Sequence, residues 1–331
     1  MQLRWFIGGC GLVVSAAVSA NQPAVQDGTT AGESPIGQNW LDGKHQQLGN
    51  WLQRQAGTID NWFGKSDPSQ PAKASLRVMV DTTWNEYDGT TIKPRVRGRV
   101  KLPTLEQRLS VVFGDDNLDY EPKDGGVLTD ERVATPTGTD SVYSSRQTRE
   151  NNASLALRWS KFRQDTGLDV DLGVRSDDVF VRATVDKAWQ LPHKIDARFE
   201  QMYRYGTKSE HTALSTLQFA KAYSQKSTLT NRLHLRYTNQ DSENLDWGNS
   251  SFMRWQQPVK QGIGELNYGL YVGGDIVDKK ARLNTYGPYV SYRQPVWREW
   301  LFVQTDVSYY NNKLNNRGHH TAVFGRVEMV F

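Results

Sequence analysis

Cysteine is nearly missing from this chain: Cys10 is the only one in 331 residues. It falls in the first twenty residues, MQLRWFIGGCGLVVSAAVSA, where Arg4 precedes an apolar run from Trp5 to Val18. Val18-Ser19-Ala20 then offers small residues for cleavage, so this stretch reads as a secretory signal peptide. The mature chain is therefore expected to have neither disulfides nor thiol chemistry, and must be held by other means in an oxidising compartment. After the signal, no run approaches the ~20 apolar residues of a spanning helix, and mean hydropathy is −0.66. Strong charge of one sign is lacking too. A net charge of +4 gives no nucleic-acid footprint.

What is present, from Ser75 onward, is alternation. LDVDLGVRS (168–176) sets Leu168, Val170, Leu172 and Val174 against Asp169, Asp171, Gly173 and Arg175. TNRLHLRYT (230–238) sets Leu233, Leu235 and Tyr237 against Arg232, His234 and Arg236. KIDARFEQMYRYG (194–206), WLFVQTDVSYY (300–310) and TAVFGRVEMVF (321–331) behave alike. About fourteen such segments, between twelve and sixteen, are counted, each near the ten residues a tilted strand needs to cross a bilayer. The segments at 211–223 and 249–259 alternate least.

A soluble sandwich also alternates, but three features favour a transmembrane antiparallel β-barrel over residues 75–331. Short connections (PTLEQ, QDTG, LPHK, SQKS, PVWRE) alternate with longer ones, above all 116–150. Aromatics sort to two ends: Trp159, Trp189, Tyr223, Trp255, Trp297 and Trp300 to one, Trp84, Tyr203, Tyr205, Tyr237, Trp247, Tyr286 and Tyr309 to the other. Finally, the chain stops on a strand with Val323, Gly325, Val327, Met329 and Phe331 on one face. Val327, Met329 and Phe331 resemble the C-terminal signal read by the barrel-assembly machinery of Gram-negative bacteria.

Ahead of the barrel, residues 21–37 are polar and read as flexible. NWLDGKHQQLGNWLQRQAGTIDNWFG (39–64) has Trp40, Leu41, Leu48, Trp51, Leu52, Ile59, Trp62 and Phe63 at helical spacing. Gly43, Gly49 and Gly57 suggest one or two short helices. SDPSQPAK (66–73) ends them. This segment, periplasmic in the 21–74 division, has four readings: packed under the barrel mouth, lying on the inner leaflet, plugging the lumen, or binding a periplasmic partner. Trp40-Leu41, Trp62-Phe63 and Trp300-Leu301-Phe302 resemble the layout of gammaproteobacterial outer-membrane barrels of unassigned activity. That resemblance implies the fold and an outer-membrane location, and brings no activity.

KPRVRGRVK (93–101) places Lys93, Arg95, Arg97, Arg99 and Lys101 at alternate positions. Charges facing lipid at mid-membrane would cost about 2–4 kcal/mol each, so this basic ladder must face the lumen. Arg158, Arg175, Arg182, Arg198, Arg204, Arg232, Arg236, Asp171 and Glu200 are assigned inward in the same way. The charges either pair across a closed lumen or line a water-filled one, where a ladder of cations would favour anions. About fourteen strands leave more space than side chains alone fill. The expectation is a porin-like channel for small polar or anionic solutes. Its alternative is a non-conducting structural or partner-binding barrel, and a lipid-modifying enzyme comes third.

No hydrolase constellation supports that third reading: His211 and His234 have no adjacent Ser in a recognisable motif. No cofactor is expected. His319-His320 would diverge on a strand and make a poor metal site. The acidic stretch GDDNLDYEPKDGG (114–126) lacks EF-hand spacing and reads as a solvated external loop. Expected partners are outer-membrane lipid and lipopolysaccharide, the assembly machinery, and a periplasmic partner for 39–64.

Overall fold

The computed structural model describes residues 40–62, 71–104, 108–119, 142–239 and 244–331. The stretch read as a signal peptide, the 21–37 stretch read as flexible, most of 66–73 and the 120–141 part of the long loop lie outside the described residues. The elements are α1 (Trp40–Asn61), β1 (Lys73–Asn85), β2 (Gly89–Lys101), β3 (Leu109–Gly114), the 3-10 turn η1 (Asp116–Asp119), α2 (Ser145–Asn151), β4 (Ser154–Arg163), β5 (Thr166–Arg175), β6 (Asp178–Leu191), β7 (Ile195–Gly206), β8 (Glu210–Ala222), β9 (Ser227–Thr238), β10 (Asn244–Val259), β11 (Gly262–Val277), β12 (Lys280–Ala281), β13 (Thr285–Pro295), β14 (Leu301–Asn312) and β15 (Arg317–Val330). A short 3-10 turn, Pro192–Lys194, joins β6 to β7.

Sequence neighbours pair antiparallel, and β1 pairs with β15 to close the sheet. Fourteen strands form the barrel wall, and all but β3 are ten residues or longer. The two residues of β12 extend only the tip of β11. The two weakly alternating segments are strands as well, β8 and β10.

Burial is inverted relative to a soluble domain. Val80, Leu157, Leu172, Val181, Leu233, Leu270 and Val307 are exposed, whereas Asp81, Arg95, Arg158, Asp171, Arg182 and Asp306 are buried. Register puts these sets on opposite faces: Val80 lies opposite Val327, and the next pair is Asp81 with Arg326. An apolar outer surface over a charged interior is stable only when lipid surrounds it.

Helix α1 runs unbroken for 22 residues through Gly43, Gly49 and Gly57, where one or two short helices were expected. Ties along its whole length outweigh the glycine penalty of about 1 kcal/mol each. Arg298, in the connection between β13 and β14, donates to Asp42 at 2.6 and 2.8 Å. His45 stacks between Trp300 (4.1 Å) and Phe331 (4.5 Å). At the other end, Asp60 accepts from the Thr104 backbone N–H and hydroxyl at 3.0 and 2.7 Å.

An acidic turn among the lumen arginines as the candidate functional site

Strand β3 has six residues, too few for the 9–11 a tilted strand needs to cross a bilayer. It stops at Gly114, whose φ of +93° lies where L side chains are strained, and a Cβ there would sit 2.0 Å from the Val96 carbonyl oxygen. The Asp115 N–H then donates to that carbonyl at 2.7 Å. The chain thereby turns within the height of the wall, and Asp115 and Asp116 are buried. This corrects the reading of 114–126 as a solvated external loop: its first aspartates face the arginines of the interior.

Each aspartate of the turn meets a different part of the wall. Asp115 accepts from Arg95 Nε at 2.6 Å, and Arg95 reaches Asp81 at 3.2 Å. Asp81 also takes two bonds of 2.6 Å from Arg326. Asp116 accepts from Arg175 and Arg204, both at 3.2 Å. Asp119 gathers Arg97 (bidentate), Arg158 at 2.8 Å and Arg182 at 3.0 Å. Arg158 and Arg182 share Asp171 beneath it, and Arg204 continues to Asp178 at 3.2 Å while its guanidinium covers Phe180 at 4.2 Å. One short turn is thus pinned to β2, β4, β5, β6 and β7.

With Asp169, 3.9 Å from Arg158, seven arginines (95, 97, 158, 175, 182, 204, 326) meet seven aspartates (81, 115, 116, 119, 169, 171, 178). Their formal charges cancel. Desolvating so many ions is tolerable only with this degree of pairing.

The basic ladder is therefore divided. Arg95 and Arg97 are buried against carboxylates. Arg99 donates to the Ser110 hydroxyl at 3.1 Å, Lys93 is half-buried, and Lys101 is exposed at the end of β2. The structure corrects the picture of five cations acting together on the lumen, because the central two are bound up in the turn.

The facing wall differs. On β8 every residue between its ends is half-buried, so both of its faces border open space. Arg198, near Glu200 (3.2 Å) and Asp186 (3.6 Å), has a side chain 36% exposed, against 2% for Arg182 under the turn. Arg232 donates to Gln218 at 2.9 and 3.2 Å, Arg236 to Asp246 at 2.7 Å, and Arg254 lies 3.4 Å from Glu265. Of the residues expected inward, Arg175 and Asp171 belong to the turn's network, and Arg198, Glu200, Arg232 and Arg236 to this open wall.

Val327 and Met329 lie on the outward face of β15, and Phe331, just past its end, stacks on His45. His319 and His320 do diverge: His319 sits between Tyr286 and Tyr309, and buried His320 between Tyr87 and Tyr310. No group of three or more metal-ligating side chains occurs among the described residues.

A closed antiparallel barrel with apolar residues outside and charges inside defines an outer-membrane β-barrel of a Gram-negative bacterium. No protein-family model matches the chain, and no curated protein matches it. Among solved structures it is similar to a loop-deletion mutant of OmpT, an outer membrane protein of Vibrio cholerae, at 8% identity and a TM-score of 0.46, over 78% of this chain and 99% of that one. It is also similar to Pseudomonas putida OprB (8%, 0.45, over 78% and 94%) and to the NanC porin (5%, 0.37, over 76% and 98%).

Proposed function

We propose that the protein is a diffusion channel for small polar solutes, with anions favoured, in which η1 narrows the lumen from the β2–β7 side and leaves a passage along β7–β11. The observation that carries this reading is the contrast between the two walls. Arg95, Arg97, Arg158, Arg182 and Arg204 are buried under the turn, whereas Arg198, Arg236 and Arg254 on the facing wall stay partly open to water. Fourteen strands enclose more room than one turn fills, and Arg198, Arg232, Arg236 and Arg254 border what remains. Cations along a passage favour anions, although the carboxylates beside them temper the effect.

The burial and charge balance of the network around η1 favours a second reading, a non-conducting barrel that serves envelope structure or binds a partner. Catalysis has less support. Among the described residues, His211 meets the Tyr203 hydroxyl at 2.7 Å and His320 the Gly318 carbonyl at 2.9 Å, and neither arrangement activates a serine.

Single-channel recording in a planar bilayer under a salt gradient tests the proposal. It predicts discrete openings with a reversal potential on the anion side, reduced when Arg232 and Arg236 become Gln. A folded protein that never conducts overturns it in favour of the second reading.

A further inference from the structure

We infer that α1 is a membrane-interface helix: it lies against the outside of the barrel at its periplasmic end and sets a stripe of three tryptophans into the phospholipid of the inner leaflet. Two independent features of the helix carry this.

The first is where it docks. Its buried residues Leu52, Ala56 and Asp60 lie along one side, and Ala56 packs with Ala72, Val100 and Leu102, joined by Ala74 and Val111. Register assigns these partners. On β2 the charged positions 95, 97 and 99 face inward, so Val100 and Leu102 follow the outward parity. Ala74 lies opposite Val100, and Val111 does so from β3. The helix therefore rests on the surface that lipid covers elsewhere. Exposure along β1 marks the boundary: on its outward face Leu76 is 9% exposed near the helix, and Val80, one turn of the wall higher, is 42% exposed.

The second is what it turns away from the barrel. Trp40, Trp51 and Trp62 are 11 residues apart. At about 100° per residue that spacing drifts only ~20° per step, so the three form one stripe along the helix. All three are exposed, Trp40 and Trp62 by 73% and 75%. On the same wheel, His45, Ala56 and Asp60 fall about 120–180° from Trp51, on the docked side. Both acidic anchors, Asp42 to Arg298 and Asp60 to Thr104, are spent on the connections between strands. Docking to the barrel thus leaves the tryptophans unexplained.

The occupant follows from continuity. The docked side of α1 covers part of the lipid-facing belt, so its far side lies where the surrounding lipid continues. Indole is also the side chain that bilayer interfaces select, and interfacial helices bury their apolar face ~5–10 Å into the headgroup boundary.

The test uses the full chain with Cys10→Ser, refolded into phosphatidylethanolamine–phosphatidylglycerol vesicles. An environment-sensitive fluorophore is placed at Trp51→Cys, with Val80→Cys as the belt reference and Lys260→Cys, in the β10–β11 turn, as the aqueous one. Brominated acyl chains are expected to quench the Trp51 label within about twofold of the Val80 label, as an interfacial helix requires, and iodide is expected to leave it largely untouched. A label that behaves like the one at Lys260, open to iodide and blind to bromolipid, overturns the inference and points to a periplasmic protein on this face. Where the cysteine variant does not fold, the intrinsic fluorescence of W40F/W51F/W62F serves instead. It should lose a bromolipid-quenched component of the parent, and unchanged quenching would count against the inference.

Discussion

Gln53 of α1 completes the ladder that Ala74 of β1 would otherwise lack. The last backbone exchange between β1 and the C-terminal end of the chain joins Leu76 and Phe331, at 2.8 and 3.1 Å. Two residues further back along β1 the partner is a side chain of α1. There the Gln53 amide accepts from the Ala74 N–H at 3.2 Å and donates to the Ala74 carbonyl at 2.8 Å. A side-chain amide stands in for a strand residue at the closing seam. Gln53→Ala removes both bonds, each worth about 0.5–1.5 kcal/mol. Faster amide exchange at Ala74, with little change at mid-strand Val80, is the expected outcome. Equal change at both positions would mean that the clasp is not local.

Removing the carboxylate at Asp119 should have the largest effect of any single change in the lumen. Three arginines, Arg97, Arg158 and Arg182, converge on it. Breaking a buried ion pair from one side costs about 3–5 kcal/mol, because the partner charge stays behind. Asp119→Ala is expected to lower the unfolding midpoint in urea and to loosen η1 from the wall. In bilayer recordings its conductance should rise and its reversal potential move further toward anions. A folded variant with parental conductance would show that η1 does not narrow the passage.

The barrel was legible because a wall with lipid on one side and charge on the other writes itself as period two. Strand β8 was harder to read: its outward face includes Ser215 and Lys221, its inward face Leu214 and Ala220, and neither side is uniform. The acidic turn was missed although a signal existed. Six residues of β3 cannot cross a bilayer, and Gly114 directly precedes Asp115 and Asp116, so the aspartates had to fall inside the wall's height. The division of the ladder was not legible, since alternation gives the face of Arg95 and Arg97 and says nothing of a partner arriving from a loop. The docking of α1 also depends on pairs far apart in the chain, such as Asp42 with Arg298 and His45 with Phe331.

Acid should loosen the outer end of the β1–β2 hairpin. Asp88 accepts from both terminal nitrogens of Arg317, at 2.6 and 2.8 Å, and from Asn85 at 2.9 Å. The Arg317 bonds chiefly hold its carboxyl below the ordinary range, against the opposing effect of burial. A pKa lower in the folded state than its unfolded value of about 3.9 stabilises the fold above that pH. The contribution disappears as pH falls through the depressed folded value. Protection of the amides across 85–91 and 314–318, relative to their intrinsic exchange rates, should therefore fall from pH 5 to pH 3 in the parent. Asp88→Asn should be less protected than the parent at pH 5, and its protection should change little below it.

Asn152 performs for β2 what Gln53 does for β1, and the consequence can be measured. Because β3 ends at Gly114, the outer half of β2 has no strand beside it on that side among the described residues. Asn152 fills the gap: it accepts from the Val96 N–H at 2.7 Å and donates to the Pro94 carbonyl at 3.0 Å, while the Ile92 N–H donates to Val142 at 2.8 Å. Proline is tolerated at 94 because its missing N–H would point into this same gap rather than into a ladder. Asn152→Ala leaves a donor and an acceptor without their partner, a loss of about 1–3 kcal/mol, and should speed exchange at Val96 by about tenfold or more. Pro94→Ala restores an N–H where no strand waits to receive it, so its stability should stay within about 0.5 kcal/mol of the parent. A clear gain in stability from Pro94→Ala would show that a strand can form across the gap, and that the wall is more continuous here than its hydrogen bonds indicate.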